Sequence, residues 1–267
     1  MGQATTYVRS KQTPMPIPFQ WHEDQVILDQ PQITMFRSKT GSLMWVAYAA
    51  RPDLVYGVGA VSRKAKAPTV QAMDIVDRIA KFASDKPAHI PLGHLNLPMD
   101  KMAVIVFCDA SWAPKCEDYK SLSGWFIALG SKDMSKPPQS LEDISLISWK
   151  SKLQGKAAQS SMAAELSSMD SALAQALWIR DIIAELTGMS IPIIIWTDAK
   201  DIFESVMTRR KKDPKRRSER LSMHFIRDTM DTEPNVYMKH CFDAQQMADE
   251  LTKSKLASNL VVYTTHA

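Results

Sequence analysis

The sequence predicts an α/β domain built on a mixed five-stranded sheet with helices on its faces, preceded by a small helical unit. Three observations predict it. Short apolar runs after residue 102 stop at charged or turn residues, as buried strands do. Helix-like text separates the later runs, and helical crossovers require parallel neighbours, whereas the first three runs can pair antiparallel. Glycine is scarce, nine in 267 residues, which argues against an all-β chain full of tight turns.

Residues 1–35 carry Pro14, Pro16, Pro18 and Pro31 without sustained periodicity and read as an extended arm. A first helix is expected over 38–50. Pro52 opens a second, because its missing N–H has no partner in a first helical turn. A third follows Pro68, with Ile75, Ile79 and Phe82 on one face at i, i+4 and i+7. Residues 36–84 therefore form the helical unit. Pro87, Pro91 and Pro98 mark 85–101 as a linker.

The text then changes. VIVFCD, GWFIALG and DISLISWKSK read as three strands, with a proline-bearing loop over 132–140. Residues 160–186 read as one long helix stopped by Gly188. IPIIIWTD is the fourth strand, DIFESVMTR and SERLSMHFIRDTMD are helices, NVYMKH is the fifth strand and QQMADELTK a closing helix. The sheet domain covers 102–256, and 257–267 is a tail.

Hydrophobic residues make up 45% of the chain, enough for one large domain or two small ones. Net charge is only +4, so affinity for nucleic acid must come from local clusters. Cys108, Cys116 and Cys241 form no CxxC pair, no zinc pattern and no closed disulfide set, which points to a reducing, intracellular compartment, cytoplasmic or nuclear. No apolar run has the roughly 18–20 residues of a membrane span. Gly2 followed by Thr6 matches the short myristoylation pattern.

Four carboxylates stand out: Asp109 in VIVFCDASWA, Glu165 in SSMAAELSS, Asp198 in PIIIWTDAKD and Asp249 in QQMADELTK. Two end apolar strands and two lie in helix-like text. Carboxylates gathered from separate elements hold divalent cations, and two Mg²⁺ ions suit phosphodiester hydrolysis. Any single acid is more often a solvated surface charge.

DASWA (109–113), KSLSGWFIALG (120–130), ISWKSKLQ (147–154), ALWIRDIIAEL (176–186) and QMADELTK (246–253) resemble, in order and spacing, the ribonuclease H domain of copia-type LTR retrotransposon Pol polyproteins. GSLMWVAYAARPDLVYGV (41–58), and more loosely DRIAKFASDKP (77–87), resemble the thumb- or connection-like stretch after the polymerase palm. The resemblance implies a ribonuclease H-like fold and cleavage of the RNA strand of RNA–DNA hybrids. It implies two Mg²⁺ ions, replaceable by Mn²⁺, on Asp109, Glu165, Asp198 and Asp249, with His240 assisting proton transfer or product release. The chain departs from the family at Ala163, Pro114, Leu166, Ala199, Ser218 and Ser254, where it usually has an acid, a glycine, an aromatic residue, Asn, His and Pro. None of these removes a metal ligand.

Residues 209–220 hold eight basic and two acidic side chains. Arg209, Arg210, Lys211, Lys212, Lys215, Arg216 and Arg217 could track a phosphate backbone, serve nuclear import, or simply form a solvated loop. Trp112 is the candidate for stacking on a base or sugar, and Ser111, Ser160 and Ser161 for sensing a 2′-hydroxyl. There is no Asp-Asp dipeptide, so the polymerase's own metal motif is missing. The alternatives to a working nuclease are a weak or inactive nucleic-acid- or protein-binding module, and an accessory subunit to a polymerase-bearing chain.

Overall fold

The computed structural model describes residues 13–16, 19–22, 26–90, 95–112, 120–138, 143–208, 214, 216–254 and 261–263. Arg209, Arg210, Lys211, Lys212, Lys215, Cys116 and the Gly2 pattern lie outside these. The chain forms two compact units, Met1–Ile90 with Lys253–Ala267, and Pro91–Thr252.

The first unit holds α1 (Gln30–Ala49), α2 (Val55–Ser62, entered through a 3-10 turn at Pro52–Leu54) and α3 (Val70–Asp85). Phe36, Leu43, Leu54, Val58, Val61, Val76 and Ile79 form its core. Arg51 grips Asp53 through Nε and Nη2 at 2.8 and 2.7 Å, and its Nη1 donates to the Ala83 carbonyl at 3.3 Å. Helix α1 starts earlier than the 38–50 expected, within the supposed arm. Asp29 caps it, Gln32 Oε1 accepts from the Asp29 N–H, and Pro31 sits in the first turn. This capping box outweighs the polar text that hid the start. Ala88–His89 pairs antiparallel with Val262–Tyr263, so parts of the expected linker and tail lie in a two-stranded ladder. Two-residue strands leave no periodicity to read.

In the second unit, β1 (Met102–Ser111), β2 (Leu122–Ser131), β3 (Ile144–Leu153), β4 (Ile193–Thr197) and β5 (Val236–His240) form one sheet in the order β3-β2-β1-β4-β5. β1 pairs antiparallel with β2, and β2 with β3; β4 runs parallel to both β1 and β5. This is the mixed five-stranded sheet expected. Central β1 is buried on both faces, so its text is a near-continuous apolar run. Edge strand β3 keeps Lys150 and Lys152 exposed, which guards the edge against further pairing.

Helices α4 (Ser161–Thr187), α5 (Lys200–Thr208) and α6 (Arg217–Thr232) complete the unit. Ser160 caps α4, one residue before the first helical residue, and Gly188, at φ 70°, ends it, as its stop signal predicts. Leu166, Met169, Leu173 and Ala176 of α4 pack with Val104, Val106, Cys108, Trp125 and Ile127 of the sheet, and Met223 and Ile226 of α6 join them. Phe107 stacks on Phe126 at 4.9 Å and on Trp196 at 6.4 Å.

The closing helix expected over 245–253 is corrected. The chain there makes 3-10 turns, Asp243–Gln245 and Met247–Leu251. Gln246 between them is extended, and its side chain accepts from Ala248 N, which breaks what would have been one helix. The Met247–Leu251 turn packs on β1 and β2.

Candidate metal centre

Asp109 lies near the end of β1, Asp198 directly after β4, and Asp249 in the Met247–Leu251 turn. Parallel β1 and β4 bring the first two to the same end of the sheet, and the turn carries the third. One carboxylate oxygen from each lies within 4.8 Å of the others. Asp109 and Asp249 are buried and Asp198 is half-buried. At that spacing, with an effective dielectric near 20, each ionised pair repels by roughly 3–4 kcal/mol. Such a cluster calls for a cation. Three hard oxygen donors fit Mg²⁺ or Mn²⁺.

The neighbours hold the acids in place. Thr252 Oγ1 donates to Asp109 Oδ2, and its N–H donates to the Asp249 carbonyl at 3.1 Å. Gln246 Nε2 donates to the Cys108 carbonyl at 3.0 Å and to Asp198 Oδ1 at 3.3 Å. Residues 246–252 thus bracket all three aspartates. Gly124, opposite Asp109 in the β1–β2 ladder, leaves room for that bracket. A Cβ there would lie 2.6 Å from Thr252 Cγ2 and 2.8 Å from Leu251 Cβ.

Two thiols border the acids. Burial pushes the Cys108 thiol well up, reinforced by Glu165, Asp109 and Asp198. Burial with Asp198, Asp243 and Asp249 pushes Cys241 up to about 12. Both stay protonated near neutrality, so oxygen atoms dominate the donor set.

Glu165 falls outside the three-aspartate group. It occupies the first turns of α4, three residues before Ser168, whose Oγ donates to the Asp109 carbonyl at 2.8 Å. Residues three apart share a helix face. Glu165 is thus one turn from the point where α4 is pinned to the strand bearing Asp109, and it adds to the field at Cys108. His240 ends β5 opposite Thr197, with its ring 5.8 Å from Phe203 and 6.0 Å from Phe242. It too lies outside the aspartate group.

Trp112 is exposed, and its Nε1 donates to the Ala158 carbonyl at 3.1 Å. Ser111 is half-buried at the end of β1, and Ser161 is exposed. Ser160 Oγ is engaged as the cap of α4. Arg216 pairs with Glu219 at 3.5 Å, and Arg217 is exposed. Thr252, Gln246, Ser168 and Gly124 were not singled out from sequence. Thr252 and Gln246 stand three residues either side of Asp249, a signal available in QMADELT.

No protein-family model matches the chain. It is 28% identical over 232 residues to the retrovirus-related Pol polyprotein from transposon RE2 of Arabidopsis thaliana, covering 84% of this chain and 14% of that protein. The corresponding polyprotein from transposon RE1 of the same plant is 28% identical over 229 residues, covering 82% and 14%. The chain therefore spans about 14% of the length of these curated relatives. Among solved structures, LC11-RNase H1 from compost is similar with a TM-score of 0.41 and 16% identity, covering 57% of this chain and 93% of that one. RNase H1 of the archaeon Halobacterium salinarum gives 0.38 and 15%, covering 55% and 90%. Over most of its length the chain is similar to retrovirus-related Pol polyproteins from plant transposons, and its second unit carries a mixed five-stranded sheet flanked by helices.

Proposed function

We propose that this chain is a Mg²⁺-dependent ribonuclease H that hydrolyses the RNA strand of RNA–DNA hybrids. The observation that carries the reading is the convergence of Asp109, Asp198 and Asp249 within 4.8 Å at one end of a mixed sheet. Glu165 completes the acid set from α4. A bound pair of Mg²⁺ ions supplies an activated water and charge neutralisation at the phosphate. Thr252 fixes the Asp109 rotamer, and Gln246 fixes that of Asp198. His240 exchanges a proton with solvent or product beside the site. Trp112, Ser111 and Ser161 contact the hybrid, and the basic run that ends at Arg217 tracks its backbone.

The test is cleavage of a labelled hybrid in Mg²⁺ and in Mn²⁺, with Asp198→Asn alongside. Cleavage at least about 100-fold above that variant is expected. Cleavage no greater than the variant's in either metal overturns the reading. Hybrid binding that persists without cleavage selects a binding module, which the departures at Ala163, Ala199 and Ser218 favour. Co-purification with a palm-bearing chain selects an accessory subunit. No helix among the described residues is long and apolar enough to cross a membrane.

Gln246→Leu removes the donor shared by Asp198 and the Cys108 carbonyl. Groups that orient metal ligands are typically worth 10–100-fold in affinity or activity. Mn²⁺ affinity by calorimetry is expected to fall about 10-fold or more in a variant that still folds. Unchanged affinity removes Gln246 from the site.

A further inference from the structure

Glu219 stands in the first turn of α6 but is only 7% exposed. A carboxylate buried this far needs donors in place of its lost water. Ser160 Oγ donates to Glu219 Oε1 at 2.7 Å, and Arg216 Nη1 lies 3.5 Å from the same oxygen. The Arg216 side chain is 45% exposed, so that ion pair contributes little. Ser160 is the N-cap of α4 and Glu219 lies in the first turn of α6, so the positive ends of two helices meet at this carboxylate.

The Ser160 hydroxyl works in both directions. Its single proton goes to Glu219, and its oxygen accepts from Ala163 N at 3.0 Å. We propose that Glu219 is a positioning residue of the metal centre: its carboxylate locks the N-cap of α4 and so fixes the turn that carries Glu165. This rests on the reading that Glu165 belongs to the acid set.

Glu165 lies between two anchors. Ser160 is tied to Glu219 before it, and Ser168 is tied to the Asp109 carbonyl after it. Removing the first anchor lets the first turn fray, because its N–H groups have no helical partners of their own. Further along, Ser222 donates to Asp170 at 3.3 Å and Arg180 to Glu233 at 2.6 Å, again joining α4 and α6. The two helices therefore stay docked when the Glu219 anchor is lost, and the effect is local to the turn bearing Glu165.

The full chain is compared as wild type, Glu219→Ala and Glu219→Gln by amide hydrogen exchange, Mn²⁺ calorimetry and hybrid cleavage. Glu219→Ala is expected to speed exchange at Ala163 and Ala164 about 10-fold or more. It is also expected to weaken Mn²⁺ binding by a similar factor, and to lower kcat with KM nearly unchanged. Glu219→Gln keeps an oxygen for Ser160 but loses the charge facing Arg216. It is expected to stay within about twofold of wild type in all three. Unchanged exchange in Glu219→Ala, or a Glu219→Gln as impaired as Glu219→Ala, overturns the proposal. If Glu219→Ala does not fold, Ser160→Ala against Ser160→Thr makes the same comparison. Wild-type protein that neither binds Mn²⁺ nor cleaves overturns the nuclease reading alone, and the exchange rates still decide the latch.

Discussion

Asp109→Asn is expected to abolish cleavage while making the metal-free protein more stable. Asp109 is 2% exposed and shares a 4.8 Å cluster with Asp198 and Asp249. Replacing one carboxylate removes two of the three repulsive pairs. Asp198 is half-buried, so solvent screens part of that repulsion, and a gain of about 1–3 kcal/mol is expected, against roughly 3–4 kcal/mol per unscreened pair. At roughly 2–4 °C per kcal/mol for a domain of this size, Tm in chelator rises by several degrees. The activity effect runs the other way. Loss of a metal-bearing charge costs several kcal/mol at the transition state, and each 1.36 kcal/mol is tenfold, so cleavage falls by about 10³ or more. Metal linkage separates the two proteins further. Wild type gains about 2.7 kcal/mol when Mg²⁺ reaches 100 times its Kd, and the variant gains little. Thermal melts in chelator and in Mg²⁺, beside a cleavage assay, check all three statements. A variant less stable than wild type in chelator, or one that still cleaves within tenfold, contradicts the assignment.

Gly124→Ala is expected to be the most damaging single methyl in the second unit. Its Cβ would lie 2.6 Å from Thr252 Cγ2, 2.8 Å from Leu251 Cβ and 3.2 Å from the Ala248 carbonyl. Leu251 Cβ and Ala248 O are fixed to the backbone, so no side-chain rotation relieves the clash. Either β2 or the Met247–Leu251 turn must move. Overpacking of this kind costs typically 1–3 kcal/mol, which corresponds to a Tm lower by about 3–10 °C. The turn carries Asp249 and leads into Thr252, so Mn²⁺ affinity falls with stability. Gly155→Ala is the control, because nothing lies within 4 Å of the added methyl. It is expected to match wild type in both melting and calorimetry. If Gly124→Ala keeps wild-type affinity, the packing of this turn does not set the position of Asp249.

Much of this was legible in the chain. Apolar runs marked the central strands, because a strand buried on both faces leaves no polar residue to interrupt it. Ser160 and Gly188 bounded α4, because caps act within a few residues and are written locally. The acids were legible as a set through the motif series. Their geometry was not. Spacing assigned equal standing to four carboxylates, whereas the structure brings three within 4.8 Å and leaves Glu165 beside them, since helix rotation and rotamer are tertiary facts. The 245–253 segment read as a helix because Met, Ala, Glu and Leu are good helix formers. Tertiary demand prevailed there: Gln246 must reach Asp198, and Thr252 must reach Asp109. Gly124 matters only through residues more than a hundred positions away, which no local pattern encodes.

The order in which the three aspartates occur along the chain has a consequence in time. Synthesis delivers Asp109 first, Asp198 after the long helix, and Asp249 only in the last turn laid on β1 and β2. A nascent chain that has emerged as far as β4 can pair its central strands, but it has only two of the three clustered ligands. The three aspartates come together only once residues 246–252 dock on β1 and β2. On the proposed reading, newly made protein is expected to acquire its cation only after this turn has emerged. On the same reading, detachment of this one turn during unfolding is expected to release the cation while the sheet is still intact, which metal-release and circular-dichroism traces recorded together would check.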